Sequence, residues 1–177
     1  IELIEYIKFA NEKTLNEATT RSRIIDTVIY DILAWPKNKV IHEESINEGY
    51  IDYTLKNDSN DNNIIIEAKK ESVEFKIPYT SKENNLISFI KMNTLLTDSN
   101  IKKTVDQVRH YCLETCTKYA AITNGHTWIF FKVFDPKWKN LNAYVIKDLK
   151  YFSENFVDAY NSLSYSQTKS GLGFKII

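Results

Sequence analysis

The chain has 177 residues, in which 23 Lys+Arg balance 23 Asp+Glu, 43% are hydrophobic, and only 4 are Gly and 3 Pro. That length fits one domain with a core large enough to need no staples, and the composition excludes a collagen-like chain, a linker and a low-complexity protein. Zero net charge argues against a protein that coats nucleic acid by bulk electrostatics.

Two cysteines are too few for a disulfide framework and point to a reducing compartment, taken here as the cytoplasm. No apolar run reaches the roughly 18 residues of a membrane span, and no membrane partner is expected. The chain opens on Ile1-Glu2-Leu3-Ile4-Glu5, with neither an initiator Met nor the features of a signal peptide, so it is expected to be part of a longer polypeptide.

Residues 2–17 read as a short amphipathic helix on Leu3, Ile4, Ile7 and Leu15. A second helix is expected over 19–35, where Ile24, Ile25, Val28, Ile29, Ile32 and Leu33 recur at helical spacing. Thr19 or Thr20 would cap it, and Pro36 follows its end. Two β-prone runs come next, 39–44 and 50–55, separated by the hairpin signal Asn47-Glu48-Gly49. After a polar turn, Ile64-Ile65-Ile66 reads as a fully buried strand.

Residues 71–100 are read as an insertion holding one short helix near 86–96. A helix follows over 101–116, with Val105, Val108 and Tyr111 or Cys112 on one side. Residues 119–123 form a short apolar strand, Asn124-Gly125 a hairpin turn, and 127–134 an aromatic-rich strand. A last strand is expected at 144–146 and an amphipathic helix at 151–163, on Phe152, Phe156 and Tyr160, before a polar tail. Strands interrupted by a helical crossover imply a mixed sheet with helices on its faces, in a single domain over 1–177.

The residues that carry chemistry are Asp52, Glu67 and Lys69. Asp52 is a charge between the apolar neighbours Ile51 and Tyr53, and Glu67 ends the Ile64-Ile65-Ile66 strand with Lys69 two residues on. Side chains alternate along a strand, so Glu67 and Lys69 share one face and Ala68 takes the other. If the strands of Asp52 and Glu67 pair, two carboxylates and an ammonium converge at the sheet's end. Carboxylates bind Mg²⁺ through oxygen, the metal activates water and polarises phosphate, and a lysine orients that water or neutralises developing charge.

These residues stand in an ordered series of blocks. Glu17-Ala18-Thr19-Thr20-Arg21 comes first, then Gly49-Tyr50-Ile51-Asp52-Tyr53-Thr54-Leu55, then Ile64-Ile65-Ile66-Glu67-Ala68-Lys69-Lys70. Gln107-Val108-Arg109-His110-Tyr111 and Thr123-Asn124-Gly125 close the series. In that order the chain resembles the PD-(D/E)XK, or restriction endonuclease-like, nuclease superfamily. It is most like the N-terminal nuclease domain of type I restriction enzyme R subunits and their stand-alone relatives. The resemblance covers about residues 17–134, with Ile51 where the superfamily name has Pro.

The resemblance implies an α/β fold: a mixed central sheet with an αβββαβ core, flanked by helices. It implies Asp52, Glu67 and the backbone carbonyl of Ala68 as metal ligands, with Glu17 from the first helix as an accessory acid at the metal. Lys69 would be the catalytic lysine, with Gln107 and Tyr111 beside the active site. Mg²⁺ is the implied cofactor, with Mn²⁺ able to substitute. The implied activity is hydrolysis of DNA phosphodiester bonds in a prokaryotic restriction or antiphage system. Further motor or recognition domains or subunits are the expected partners.

Each residue also has a plain structural reading. Asp52 would be a capped strand carboxylate, Glu67 and Lys69 a surface ion pair worth roughly 0–1 kcal/mol. Gln107 and Glu17 would be solvated and Tyr111 a core aromatic. His42, His110 and His126 lie in different elements and read as singletons, Cys112 and Cys116 as buried thiols, and Trp128-Ile129-Phe130-Phe131 as core rather than a base-stacking surface. A nuclease-fold module without catalysis and an RNA nuclease using the same site stay open as alternatives. Zero charge can also average an acidic stretch (Glu43, Glu44, Glu48, Asp52, Asp58, Asp61 against Lys56) with a basic one (Lys132, Lys137, Lys139, Lys147, Lys150 against Asp135, Asp148). Weak, salt-sensitive DNA binding by the domain alone is then expected.

Overall fold

The computed structural model describes residues 17–78, 87–149 and 156–169. Apart from Glu17, the helix expected over 2–17 lies outside these residues, as does Phe152.

The first described helix, α1, opens with the α-helical turn Glu17–Thr20 and continues in the wider i→i+5 register of a π-helix through Arg21–Ile25 and Thr27–Ile32. Its stripe of Ile24, Ile25, Val28, Ile29, Ile32 and Leu33 is buried, as the sequence spacing requires. Thr20 is helical and makes no capping bond, so it lies inside α1 rather than ahead of it.

The strands β1 (Val40–Ile46), β2 (Gly49–Lys56) and β3 (Asn62–Ala68) form an antiparallel meander. A strand β4 (Ile87–Lys91), a short helix α2 (Met92–Leu95) and the long helix α3 (Ser99–Glu114) then carry the chain across the sheet. The carboxylate of Asp98 accepts the N–H of Ile101 at 2.9 Å and caps α3. The strand β5 (Tyr119–Thr123) lies parallel to β3, followed by β6 (Trp128–Lys132) and β7 (Asn142–Ile146). Two helices, α4 (Phe156–Leu163) and α5 (Tyr165–Lys169), close the described chain.

Among the described residues, seven strands form one mixed sheet in the order β1-β2-β3-β5-β6-β7-β4. With β4 and α2 set aside as an addition between β3 and α3, the succession α1, β1, β2, β3, α3, β5 is the αβββαβ core that the resemblance implied. Residues of α1 and α4 pack with Ile64, Ile66 and Ala68 on one face, and residues of α3 pack with Ile65, Ile122 and Ile129 on the other. The strand Trp128-Ile129-Phe130-Phe131 is wholly buried, which makes it core, as read from the sequence. None of the described helices is long and apolar enough to cross a membrane.

Several expectations are corrected. The helix placed near 86–96 is a strand followed by a single helical turn. Ile87–Lys91 pairs antiparallel with β7 and forms one edge of the sheet, so 71–100 contributes to the sheet rather than standing apart from it. The Asn124-Gly125 hairpin is a four-residue loop, since Thr123 pairs with Trp128. The tail expected from Ser164 contains α5, and Cys116 is exposed while Cys112 is buried. The basic stretch does not gather at one place, and its Lys150 lies outside the described residues. Lys132 is opposite Tyr119 at one end of the β5–β6 pair, while Lys147 follows Ile146, which is opposite Trp128 at the other end.

Candidate active site

The site lies where β3 ends beside β5. Ala68 pairs with Thr123, and the Lys69 N–H still donates to the Thr123 carbonyl at 2.8 Å, so β3 holds its line past the last paired residue. Antiparallel pairing of Tyr53 with Ile66 brings Asp52, the preceding residue of β2, alongside Glu67. The Asp52 Oδ2 accepts the Ala68 backbone N–H at 2.7 Å, which locks the carboxylate across the two strands.

Both carboxylates are largely withdrawn from water, with side-chain exposures of 14% for Asp52 and 4% for Glu67. Burial raises the Asp52 carboxyl above the usual aspartate range, against the downward pull of the Ala68 N–H and of Arg21. Burial, and then the neighbouring Asp52 charge, pushes the Glu67 carboxyl up to about 7. Glu17, exposed on the first turn of α1, lies close enough for its charge to raise both carboxyls, which makes it an electrostatic neighbour of the pair.

A polar chain leads from Glu67 to α3. The Lys69 ammonium donates to Glu67 Oε1 at 2.5 Å and to Gln107 Oε1 at 3.0 Å, and Gln107 Nε2 donates to the Tyr111 hydroxyl at 3.0 Å. Gln107 and Tyr111 meet because residues four apart on a helix share a face. Val105, Val108 and Cys112 bury the neighbouring stripe of α3 against the sheet, and this sets the angle at which the Gln–Tyr pair faces the site. Gly49, at φ +139, opens β2 beside the same hydroxyl: a Cβ there would lie 3.4 Å from Tyr111 Oη. Asp52, Glu67, Ala68, Lys69, Gln107 and Tyr111 are thus brought together.

Arg21, with Glu43, Tyr53 and Asp26 around it, joins them although no role was assigned to it from sequence. Arg21 Nη1 lies 3.3 Å from Asp52 Oδ1 and 3.1 Å from Glu43 Oε1, and Nη2 donates to the Asp52 carbonyl at 3.5 Å. Its guanidinium stands 5.3 Å from the centre of the Tyr53 ring, whose hydroxyl donates to Asp26 at 2.9 Å. The i→i+5 register of α1 sets Arg21 and Asp26 one turn apart, so both meet Tyr53. The sequence signal for Arg21 was its place four residues after Glu17, one turn along the same helix start.

The three histidines remain in separate surroundings. Tyr30 is 2.5 Å from His42, Glu48 is 3.5 Å from His110, and Glu71 is 2.8 Å from His126. Among the described residues no group of three or more His, Cys, Asp and Glu side chains is arranged to hold a metal ion. The side-chain oxygen donors at the site are the Asp52 and Glu67 carboxylates. That set suits Mg²⁺, which keeps several of its waters and binds through one or two carboxylates.

No family model matches the chain, and no curated protein matches it. Among solved structures it is similar to the type IIG restriction endonuclease BpuSI, with 16% identity and a TM-score of 0.37 over 87% of this chain. The chain spans 16% of that enzyme's length.

Proposed function

We propose that this chain is a metal-dependent nuclease domain that hydrolyses DNA phosphodiester bonds, working in a prokaryotic restriction or antiphage system together with recognition or motor partners. The observation that carries the reading is the convergence of Asp52, Glu67, Lys69 and Gln107 from two strands and a helix at one end of the sheet.

Asp52, Glu67 and the Ala68 carbonyl would hold Mg²⁺ or Mn²⁺. When bound, such an ion supplies Lewis acidity toward the phosphate and makes a water more acidic. Lys69 has three N–H donors; two are fixed on Glu67 and Gln107, and the third is available to a water or a phosphate oxygen. Gln107 aims the ammonium, and Tyr111 holds the Gln107 amide in the orientation that presents its oxygen to Lys69. Positioned charge of this kind acts in the transition state without reorganising, and this is the main contribution a nuclease scaffold makes.

The test is cleavage of supercoiled and linear DNA with Mg²⁺ or Mn²⁺, in parallel with single-stranded RNA. Wild type nicks or cuts DNA, while Asp52→Ala and Lys69→Ala lose about a hundredfold or more. Equal cleavage by all three proteins overturns the catalytic assignment. Retained DNA binding without cleavage points instead to a nuclease-fold module without catalysis, and RNA cleavage alone to a ribonuclease.

A further inference from the structure

Two fixed cations bracket the carboxylate pair. Lys69 lies on the Glu67 side and is engaged with Gln107. Arg21 lies on the Asp52 side, 3.3 Å from Oδ1, with a side-chain exposure of 16%. A phosphodiester entering among Asp52, Glu67 and Glu17 meets carboxylates, so it needs cations positioned before it arrives. A guanidinium is the side chain whose planar fork matches a phosphate with two parallel hydrogen bonds.

Arg21 is built into its place. Tyr53 lies beneath it, the Asp52 carbonyl receives Nη2, and Glu43 holds Nη1 from β1. Glu43 itself adopts φ +51, a left-handed conformation that a residue with a Cβ reaches at a cost. At that point the β1–β2 pairing runs from His42–Tyr53 to Glu44–Ile51 and leaves Glu43 out of the ladder. Tyr53 then packs toward α1 and Ile51 toward α3, so the strand turns over at Asp52. Unpaired and turned, Glu43 is 69% exposed in its side chain yet reaches Arg21. Beside them opens a pocket of about 200 Å³ lined by Ala18, Arg21, Asp26, His42, Glu43 and Tyr53.

We propose that Arg21 binds a phosphate of the DNA substrate and that Glu43 positions its guanidinium for that contact. The inference rests on the nuclease reading and adds to it a substrate-binding residue and the partner that orients it.

The test is binding of a fluorescein-labelled DNA duplex, read by anisotropy with Ca²⁺ over a series of salt concentrations, alongside calorimetric Mg²⁺ titration and thermal melts. Arg21→Gln binds about tenfold more weakly, and its plot of log K against log salt is shallower by about 0.9, the slope lost with one phosphate contact. Its Mg²⁺ affinity is no weaker than wild type. Arg21→Lys keeps the slope but binds several-fold more weakly, having lost the fork, and Glu43→Gln weakens binding with the slope unchanged. A loss in Arg21→Gln with an unchanged slope overturns the proposal, because a merely structural role lowers affinity without removing a phosphate contact. If Arg21→Gln fails to fold, wild-type affinity in Arg21→Lys and Glu43→Gln overturns it equally. Wild-type DNA binding by Arg21→Gln, with cleavage by wild type intact, leaves the nuclease standing and Arg21 as the counter-ion of Asp52 alone. A wild type that neither titrates with Mg²⁺ nor cleaves removes the nuclease reading itself, and Arg21 with it.

Discussion

The Lys69 ammonium is held at 3.0 Å by the amide oxygen of Gln107, a residue 38 positions further along the chain. The same amide donates to Tyr111 Oη at 3.0 Å, so the helix presents its oxygen, not its nitrogen, to the lysine. Gln107→Leu leaves the ammonium tied to Glu67 alone, and cleavage is expected to fall in kcat by about ten- to a hundredfold with little change in KM. Tyr111→Phe removes only the hydroxyl that orients the amide, a bond worth about 1 kcal/mol, and is expected to cost less than tenfold. Steady-state kinetics on a DNA substrate separate the two. A Tyr111→Phe defect as large as that of Gln107→Leu would contradict the order of the chain.

The two cysteines offer a chemical check on how α3 is seated. Cys112 is buried, its thiol donates to the Tyr119 carbonyl at 3.7 Å, and burial pushes the thiol up to about 12. Cys116 is exposed just past the helix end, at φ +54. The thiolate is the reactive form, so native protein should release one equivalent from a disulfide reagent quickly and the second only in denaturant. Cys116→Ser should abolish the fast equivalent. Two fast equivalents in native protein would mean that α3 is not packed against β5 as described.

What the sequence made legible was the part governed by local pattern. The runs around Asp52 and Glu67 have period-two or continuous apolar character and short connections, so β2 and β3 and their pairing follow from neighbours in the chain. β5 appears over Tyr119–Thr123, the residues expected. β4 was misread because Ile87, Phe89 and Ile90 form a short apolar run whose period fits either a helix or a strand, and only pairing with β7 decides it. Arg21 stands in the sequence only as the last residue of the block that begins at Glu17. Its partner Asp52 is 31 residues away, and neither the turning of β2 at Asp52 nor the positive φ of Glu43 has a local signature.

Gly125 couples the β5–β6 loop to α1. It sits at φ +92, and a Cβ there would come within 2.9 Å of Thr20 Cγ2 and 3.4 Å of Ile24. Asn124 fixes the same loop by accepting the N–H groups of His126 and Thr127 and donating to the Val73 carbonyl at 2.8 Å. Gly125→Ala therefore strains the backbone and presses on the turn of α1 that carries Arg21. It is expected to cost more than about 1 kcal/mol in urea unfolding. Cleavage should fall beyond what lost stability explains, measured well below the melting temperature. A neutral Gly125→Ala would show that the loop and α1 do not touch.

Glu67 links the site to pH. Its carboxyl is pushed up to about 7 by burial and by Asp52, from an ordinary value near 4.5 in the unfolded chain. Between those values the folded protein holds a proton that the unfolded chain has released. The contribution is fully present below about 4.5 and is lost as pH rises to about 7, an effect on the order of 3 kcal/mol. Asp52 is shifted in the same direction and adds to the slope. In EDTA, the melting temperature is therefore expected to fall between pH 5 and pH 7.5. Glu67→Gln, with no charge to bury, should flatten that fall and melt higher than wild type at pH 7.5. In return it should bind Mg²⁺ more weakly by calorimetry, since one of the two carboxylates is gone. Mg²⁺ should raise the melting temperature of wild type at pH 7.5 and do little for Glu67→Gln, as expected when a ligand binds only the folded state. Melting curves for wild type and Glu67→Gln that run parallel from pH 5 to 7.5 would refute the buried-carboxylate account of the site.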